Sequence, residues 1–404
     1  MRVAMALVLC LTAGLAGLTG QTRSRTLDIY FIDTEGGQST LYVSPTGESL
    51  LVDTGNAGDR DLGRIREALQ LAGVKQIDHL WTTHYHGDHY GSLLALAKEV
   101  PVGHFYDHGA PNPGDRIVSA AFLSAYEDLS RGKRTSVKPG DKIAMAGLDI
   151  TTVASANQFI RTTLPGGGQP NPACAGVERK DESGYFDPDN GDSAGFVLTY
   201  GRFRTVNLGD LTWNGEIDLM CPTNRIGTVD LYLTSHHGLA QSGSPALVHA
   251  LQPRVSVMNN GTRKGGAADA FRVLHASPGL EDLWQLHWSH NVGLDNAPAT
   301  FVANIEDNEA IAGILTAPPP APRGGGPGRG GGAAAGPNAP AGVAGGAAIA
   351  GRPGGGPGAA QAGRAGGAAA HTPAHVIKVS VDADGAFTVT NTRVQFAKTY
   401  RPRP

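Results

Sequence analysis

The chain has 404 residues, 40% of them hydrophobic, with 33 basic against 36 acidic side chains and a formal net charge of −3. That apolar share is ordinary for a globular protein and enough for a sizeable core. So mild a charge balance excludes whole-chain attraction to nucleic acid and points to no charged partner.

Residues 1–20 stand apart. Arg2 precedes the apolar run VAMALVLCLTAGLAGL, which ends in small residues before TGQTRSR, the pattern of a secretory signal peptide. The run is short for a membrane span, and no second apolar stretch of about 20 residues follows it. A secreted or periplasmic protein is the expectation. Cys10 would leave with the signal, so Cys174 and Cys221 would remain. An oxidising compartment permits one disulfide between them, and two free thiols are the equal alternative.

The segments TLDIYFID, STLYVSP and ESLLVDTG read as three strands joined by Gly-rich and Pro-Thr-Gly turns. Over residues 60–72, Leu62, Ile65, Leu69 and Leu71 are expected to share one helical stripe. IDHLWTTH reads as a strand and GSLLALAKEV as a helix. The grammar then repeats: AGFVLTYGRFRTVNLGD is a hairpin, VDLYLTSHHG a strand, SPALVHALQ a helix and RVSVMNNG a strand. This alternation predicts an α/β layered sandwich over residues 27–316. Residues 317–374 are almost all Gly, Ala and Pro, too poor in apolar surface to fold, and are expected to form a disordered insert. After them, HVIKVSVDADGAFTVTNTRVQF alternates with period two around Asp-Gly. That predicts a β-hairpin over 375–400 packed on the main domain.

The chemistry concentrates in THYHGDHYG, residues 83–91. His84 and His86 are one residue apart, so in an extended stretch both project to the same side and can grip one cation. Gly87 allows a tight turn, after which Asp88 and His89 reach a second position. Imidazole and carboxylate suit zinc, and manganese or iron also accept such a set. Asp53, Asp210 and the pair His236–His237 close three further strands. Singly, Asp-Thr-Gly and Gly-Asp are common turn chemistry. Together, four strands each deliver an acid or imidazole where the chain leaves the sheet.

The order Asp53, His84-x-His86-x-Asp88-His89, Asp210, His236-His237 resembles the metallo-β-lactamase superfamily. Within it, FIDTEGGQSTLYVSPTGESLLVDTG, NGDSAGFVLTYGRFRTVNLGD and TSHHGLAQS are similar to the ComEC-type extracellular domain and its free-standing secreted relatives. The likeness spans about residues 27–260 and implies a four-layer αββα sandwich with a two-metal centre at one sheet edge. It implies that His84 and His86 bind the first metal and that Asp88 and His89 bind the second. Asp210 would bridge both ions. One of His236 and His237 would complete the second site, His236 being favoured as nearer the strand. Asp53 would orient a ligating imidazole. Many members finish the first site with a further histidine, where this chain has PDNGDSAGF, so Asn190 and Asp192 are the substitute candidates. ComEC-type domains often carry Gly-His-Pro where this chain reads NNGTRKGG, and Lys264 there is a candidate substrate contact.

Other residues are expected to matter less. His104, His108, His287 and His290 read as surface or core-edge histidines, and Trp284 and Trp288 as packing at a core edge. Paired divalent ions activate water, and Asp88 or Asp210 could hold its proton, so hydrolysis is the expected class. A phosphoester or phosphodiester is favoured by the resemblance, with a lactone or β-lactam as the enzymatic alternative. A binding protein with a degenerate metal site is the alternative of a different class. Nucleic acid remains an allowed substrate that the charge does not indicate.

Overall fold

The computed structural model describes residues 26–115, 117–182, 188–305 and 374–403. The expected signal segment and nearly all of the expected Gly/Ala/Pro insert lie outside the described residues. No helix among the described residues is long and apolar enough to cross a membrane.

Two nine-stranded sheets organise the chain. In the first, the strands Leu27–Phe31, Thr40–Val43 and Ser49–Val52 pair antiparallel. Ile77–Trp81, Val102–Asp107 and Arg134–Ser136 then continue the sheet in parallel. The C-terminal strands Ile377–Val381, Phe387–Asn391 and Phe396–Tyr400 form an antiparallel meander on the other side of Leu27–Phe31. Their alternating Ile, Val and Phe residues supply one buried face.

The second sheet has the same two-part grammar. Lys142–Met145, Leu148–Ser155, Gly195–Tyr200 and Phe203–Asn207 pair antiparallel. Leu231–Leu233, Val255–Met258, Asp282–His287 and Val302–Asn304 follow in parallel.

Three apolar clusters bind these elements. One, including Phe31, Trp81, Phe196, Leu233, Trp284 and Tyr400, draws on both sheets. A second joins the first sheet to the helices Asp59–Leu71, Leu93–Glu99 and Ala120–Ser130 through Ile65, Leu69, Leu96, Phe122 and Tyr126. A third joins the second sheet to Trp213–Met220, Pro245–Leu251 and Ala268–His275 through Leu219, Leu247, Leu251 and Phe271. The helix Asp59–Leu71 buries Leu62, Ile65 and Leu69 as expected, but Leu71 is 62% exposed. Two residues beyond Leu69 is about 200° around a helix, on the opposite face. Trp284 lies in the cluster shared by both sheets, where its indole N–H donates to the Tyr400 hydroxyl at 3.0 Å.

Cys174 and Cys221 are joined in a disulfide, which closes a sequence separation of 47. The parallel strands of both sheets matter most for function. Their carboxyl ends carry Asp53, His84, Asp210, His236 and Asn259, and α/β folds build sites at such ends.

Candidate metal centre

The strand Ile77–Trp81 ends in Thr82 and Thr83, and the chain then passes through His84 and His86 into the short helix Gly87–Tyr90, which carries Asp88 and His89. Asp210 follows the strand Phe203–Asn207 through Gly209, whose φ of 56° and contact with Thr83 require glycine. A Cβ there would lie 2.7 Å from the Thr83 Cβ. His236 and His237 sit in the turn Ser235–Gly238, both left-handed at φ 52° and 55°. Such a conformation costs roughly 1–2 kcal/mol per residue and persists where surroundings hold it. The His236 N–H donates to Gly209 O, and Gly266 N–H donates to His237 O.

Four donor atoms form a compact set. From His89 Nε2 the distances are 3.5 Å to Asp88 Oδ2, 3.2 Å to Asp210 Oδ2 and 3.3 Å to His237 Nε2. From His237 Nε2 both carboxylate oxygens are 3.3 Å away. A tetrahedral ion with donor bonds of about 2.0–2.2 Å spaces its donors about 3.4 Å apart, so these edges suit one ion. His237, not the expected His236, belongs to this set. The consecutive left-handed residues turn the two rings apart, to 6.0 Å between centroids and 68° between planes.

A second group lies alongside it. His84 Nε2 is 3.0 Å from His86 Nδ1 and 3.9 Å from Asp210 Oδ2, and His236 Nε2 is 3.4 Å from the same Asp210 oxygen. Asp210 Oδ2 is therefore common to both groups, as a bridging carboxylate requires. Its Oδ1 is buried with no hydrogen-bond partner.

The outer nitrogens explain why the inner ones are available. His89 Nδ1 is 2.8 Å from Asp53 Oδ2, His84 Nδ1 is 3.1 Å from Thr83 Oγ1, and His86 Nε2 is 3.1 Å from Asp115 Oδ2. His236 Nδ1 is 3.2 Å from Ser242 Oγ, whose own proton goes to Leu211 O. His237 Nδ1 is 3.1 Å from the Asn259 amide, and turning that amide over presents its unpartnered Oδ1 as the acceptor. Each outer N–H is thus anchored, which leaves five inward lone pairs beside two carboxylates. Two such lone pairs 3.0 Å apart repel unless a cation or a proton lies between them. The residues fit divalent metal.

The buried carboxylates draw positive charge to the centre, so the histidines split, with His86 and His89 raised and His84 and His236 lowered. Buried as they are, Asp88 and Asp210 stay well below the usual carboxylate range, Asp88 through Lys264 and His89, Asp210 through His237, His89 and His236. Burial first, then the charges of His89 and His86, hold His84 well below its ordinary value. Burial lowers His236 to about 4. Against its burial, His89 is pushed well up by Asp210, Asp88 and Asp53.

The remaining candidates fall elsewhere. Lys264 Nζ contacts Asp88 Oδ2 from the partly exposed rim. Asn190 is buried and its Oδ1 has no hydrogen-bond partner. Asp192 accepts from Asn112 and groups with His108 and Asp189. His108 pairs with Asp189 at 3.2 Å, and Asp189 also accepts the Tyr85 N–H at 2.6 Å, which steadies the chain between His84 and His86. His104 meets Thr135 on the first sheet. His287 pairs with Asp33 at 2.6 Å in a buried network that already holds the Arg64 cation. Sequence reading missed Asp115, Ser242, Asn259 and the Asp189–His108 pair. Asp115 comes from a loop, Asn259 from the end of another strand and Asp189 from the short helix Pro188–Gly191, all far along the chain, whereas Ser242 lies only six residues after His236.

Comparison with known proteins agrees with the geometry. The metallo-beta-lactamase superfamily matches over residues 33–258. A UPF0173 metal-dependent hydrolase of Staphylococcus saprophyticus is 29% identical over 131 residues, 32% of this chain and 47% of that protein. The coenzyme F420H(2) oxidase of Methanothermobacter marburgensis is 27% identical over 103 residues, 25% of this chain and 24% of that protein. The chain thus spans less than half the length of either curated relative. Among solved structures, the metallo-beta-lactamase fold protein YhfI of Bacillus subtilis aligns at 13% identity and a TM-score of 0.40. That alignment covers 64% of this chain and 95% of the other.

Proposed function

The chain belongs to the metallo-beta-lactamase superfamily, and on that footing we propose that it is an exported two-metal hydrolase acting on a phosphoester or phosphodiester. The observation that carries the reading is the nearly regular quartet Asp88, His89, Asp210 and His237, sharing Asp210 Oδ2 with the group of His84, His86 and His236. Divalent ions held there would supply activated water and stabilise charge on the attacking and leaving oxygens.

The chain's own residues do the rest. Asp53, Thr83, Asp115, Ser242 and Asn259 fix the imidazole orientations. Asp88 or Asp210, whose Oδ1 is buried without a hydrogen-bond partner, would hold the proton of the attacking water. Lys264 at the rim gives an anionic substrate a cationic contact, which favours phosphoesters over neutral lactones. The cores on both faces of each sheet support the four-layer αββα description, and the finer likeness to ComEC-type domains belongs to this proposal. The apolar N-terminal segment and the Cys174–Cys221 bond support export to an oxidising compartment.

Turnover of bis-p-nitrophenyl phosphate, assayed beside a lactone and a β-lactam with and without chelator, tests the substrate class. Chelator-sensitive phosphodiester turnover is expected. Turnover of the lactone or β-lactam alone would replace the phosphoester reading.

A further inference from the structure

One distant segment grips the chain on both sides of His84. The Ala194 N–H donates to Thr83 O at 2.8 Å, and the Tyr85 N–H donates to Asp189 Oδ2 at 2.6 Å. From the same segment, Ser193 Oγ accepts the Asp210 N–H at 3.2 Å. Asp189, fully buried on the helix Pro188–Gly191, is the hub of this grip. His108 Nε2 donates to its Oδ2 at 3.2 Å, and the Asn112 N–H donates to its Oδ1 at 2.8 Å. Asn112 passes the hold onward. Its carbonyl accepts the Asp115 N–H at 2.9 Å, its side-chain amide donates to Asp192 Oδ2 at 2.9 Å, and Asp115 Oδ2 lies 3.1 Å from His86 Nε2. One carboxylate therefore holds the backbone between His84 and His86 and also the loop that brings His86 its carboxylate partner. His108, Asp189 and Asp192 have the composition of a cation site, but Asp189 already accepts from three donors.

We propose that Asp189 is a positioning residue of the metal centre, which sets the spacing of His84 and His86 through the Tyr85 N–H and delivers Asp115 to His86 through Asn112. This inference rests on the two-metal reading. Asp189 acts through the backbone and the loop and is not itself a ligand. Its removal leaves three donors without their acceptor, so the loss falls first on the segments they hold together. A partner behind a metal-bound imidazole is worth roughly 10- to 100-fold in metal affinity, and a residue that aligns two such imidazoles acts on the same scale.

The test compares the wild type with Asp189→Asn, which keeps the shape of the side chain but only one of its two acceptor oxygens. Chelator-stripped proteins are titrated with cobalt(II) against a competing chelator, and the visible cobalt spectrum is recorded. His108→Leu, which removes the side-chain donor at Oδ2, carries the same expectation should Asp189→Asn fail to fold. The wild type should bind about two cobalt ions per chain. Asp189→Asn should bind cobalt about 10-fold more weakly, with an altered visible band. As a control for lost stability alone, Cys174→Ser with Cys221→Ser should keep the wild-type affinity and band. In an Asp115→Asn background the effect of Asp189→Asn should shrink, and an undiminished effect there would overturn the route through Asn112. Wild-type affinity and band in Asp189→Asn would overturn the proposal, as would an equal loss in the disulfide-free control. A third ion in the wild type that Asp189→Asn loses would also overturn it, by making the cluster a cation site. A wild type that binds fewer than two ions would instead overturn the two-metal reading and this inference with it.

Discussion

Asp53 Oδ2 lies 2.8 Å from His89 Nδ1, and the same carboxylate accepts hydrogen bonds from Gln38 Nε2, Thr83 Oγ1 and Thr83 N. Asp53 has φ 58° and is buried, so the protein keeps it in a strained turn at the end of its strand. Its position is that of an anchor for the imidazole. Asp53→Ala should lower metal affinity by about 10- to 100-fold, the usual cost of removing a carboxylate behind a metal-bound histidine. Titration with a competing chelator would measure it, and unchanged affinity would show that His89 does not need this partner.

Lys264 tests the substrate class. Its Nζ contacts Asp88 at the rim and approaches no other carboxylate of the centre among the described residues. Lys264→Met should raise KM for a phosphodiester about 10-fold, the scale of one charge-assisted hydrogen bond of ~1.5 kcal/mol. Metal content should hold, and any turnover of a neutral lactone should not change. Equal KM values for wild type and variant would remove Lys264 from substrate binding.

The Cys174–Cys221 bond ties the turn Pro172–Gly176 to the end of the helix Trp213–Met220. Removing a link across a separation of 47 frees the unfolded chain more than the folded one. Cys174→Ser with Cys221→Ser should cost about 2–5 kcal/mol. Denaturant titration of the oxidised protein against this double variant checks it.

Glu216 gives the fold a pH dependence. Its fully buried carboxylate accepts from Gly243 N and Ser244 N at 2.8 and 2.6 Å, yet burial lifts its pKa from the ordinary 4.5 to about 7. The folded pKa lies above the unfolded one, so the folded state holds the proton more tightly. The stabilisation is full below 4.5 and is lost as pH rises through about 7. Glu216→Gln does not ionise, so its Tm should gain on the wild type between pH 5 and pH 8. A constant difference across that range would contradict the shift.

Much of the centre is legible in the sequence, because His84, His86, Asp88 and His89 lie within six residues and their spacing is itself geometry. Asp210 is legible from its place after a strand. The division of labour between His236 and His237 is not, since it depends on two left-handed residues that nothing in Ser-His-His-Gly announces. The supporting groups are hidden for another reason. Asn259 reaches His237 from the end of another strand, and Asp115 reaches His86 from a loop 29 residues away, so only the packed sheets bring them together. Strand Asp282–His287 escaped the reading because its buried Gln285 breaks the apolar pattern. That amide instead bonds Asn296 and the Ala297 N–H.

The most direct test of the account is an anomalous-difference map from crystals of the metal-loaded protein. Two peaks are expected, one within the quartet of Asp88, His89, Asp210 and His237 and one beside His84 and His86, both bonded to Asp210 Oδ2. A map with no peak among these side chains would contradict a metal-dependent hydrolase built on them.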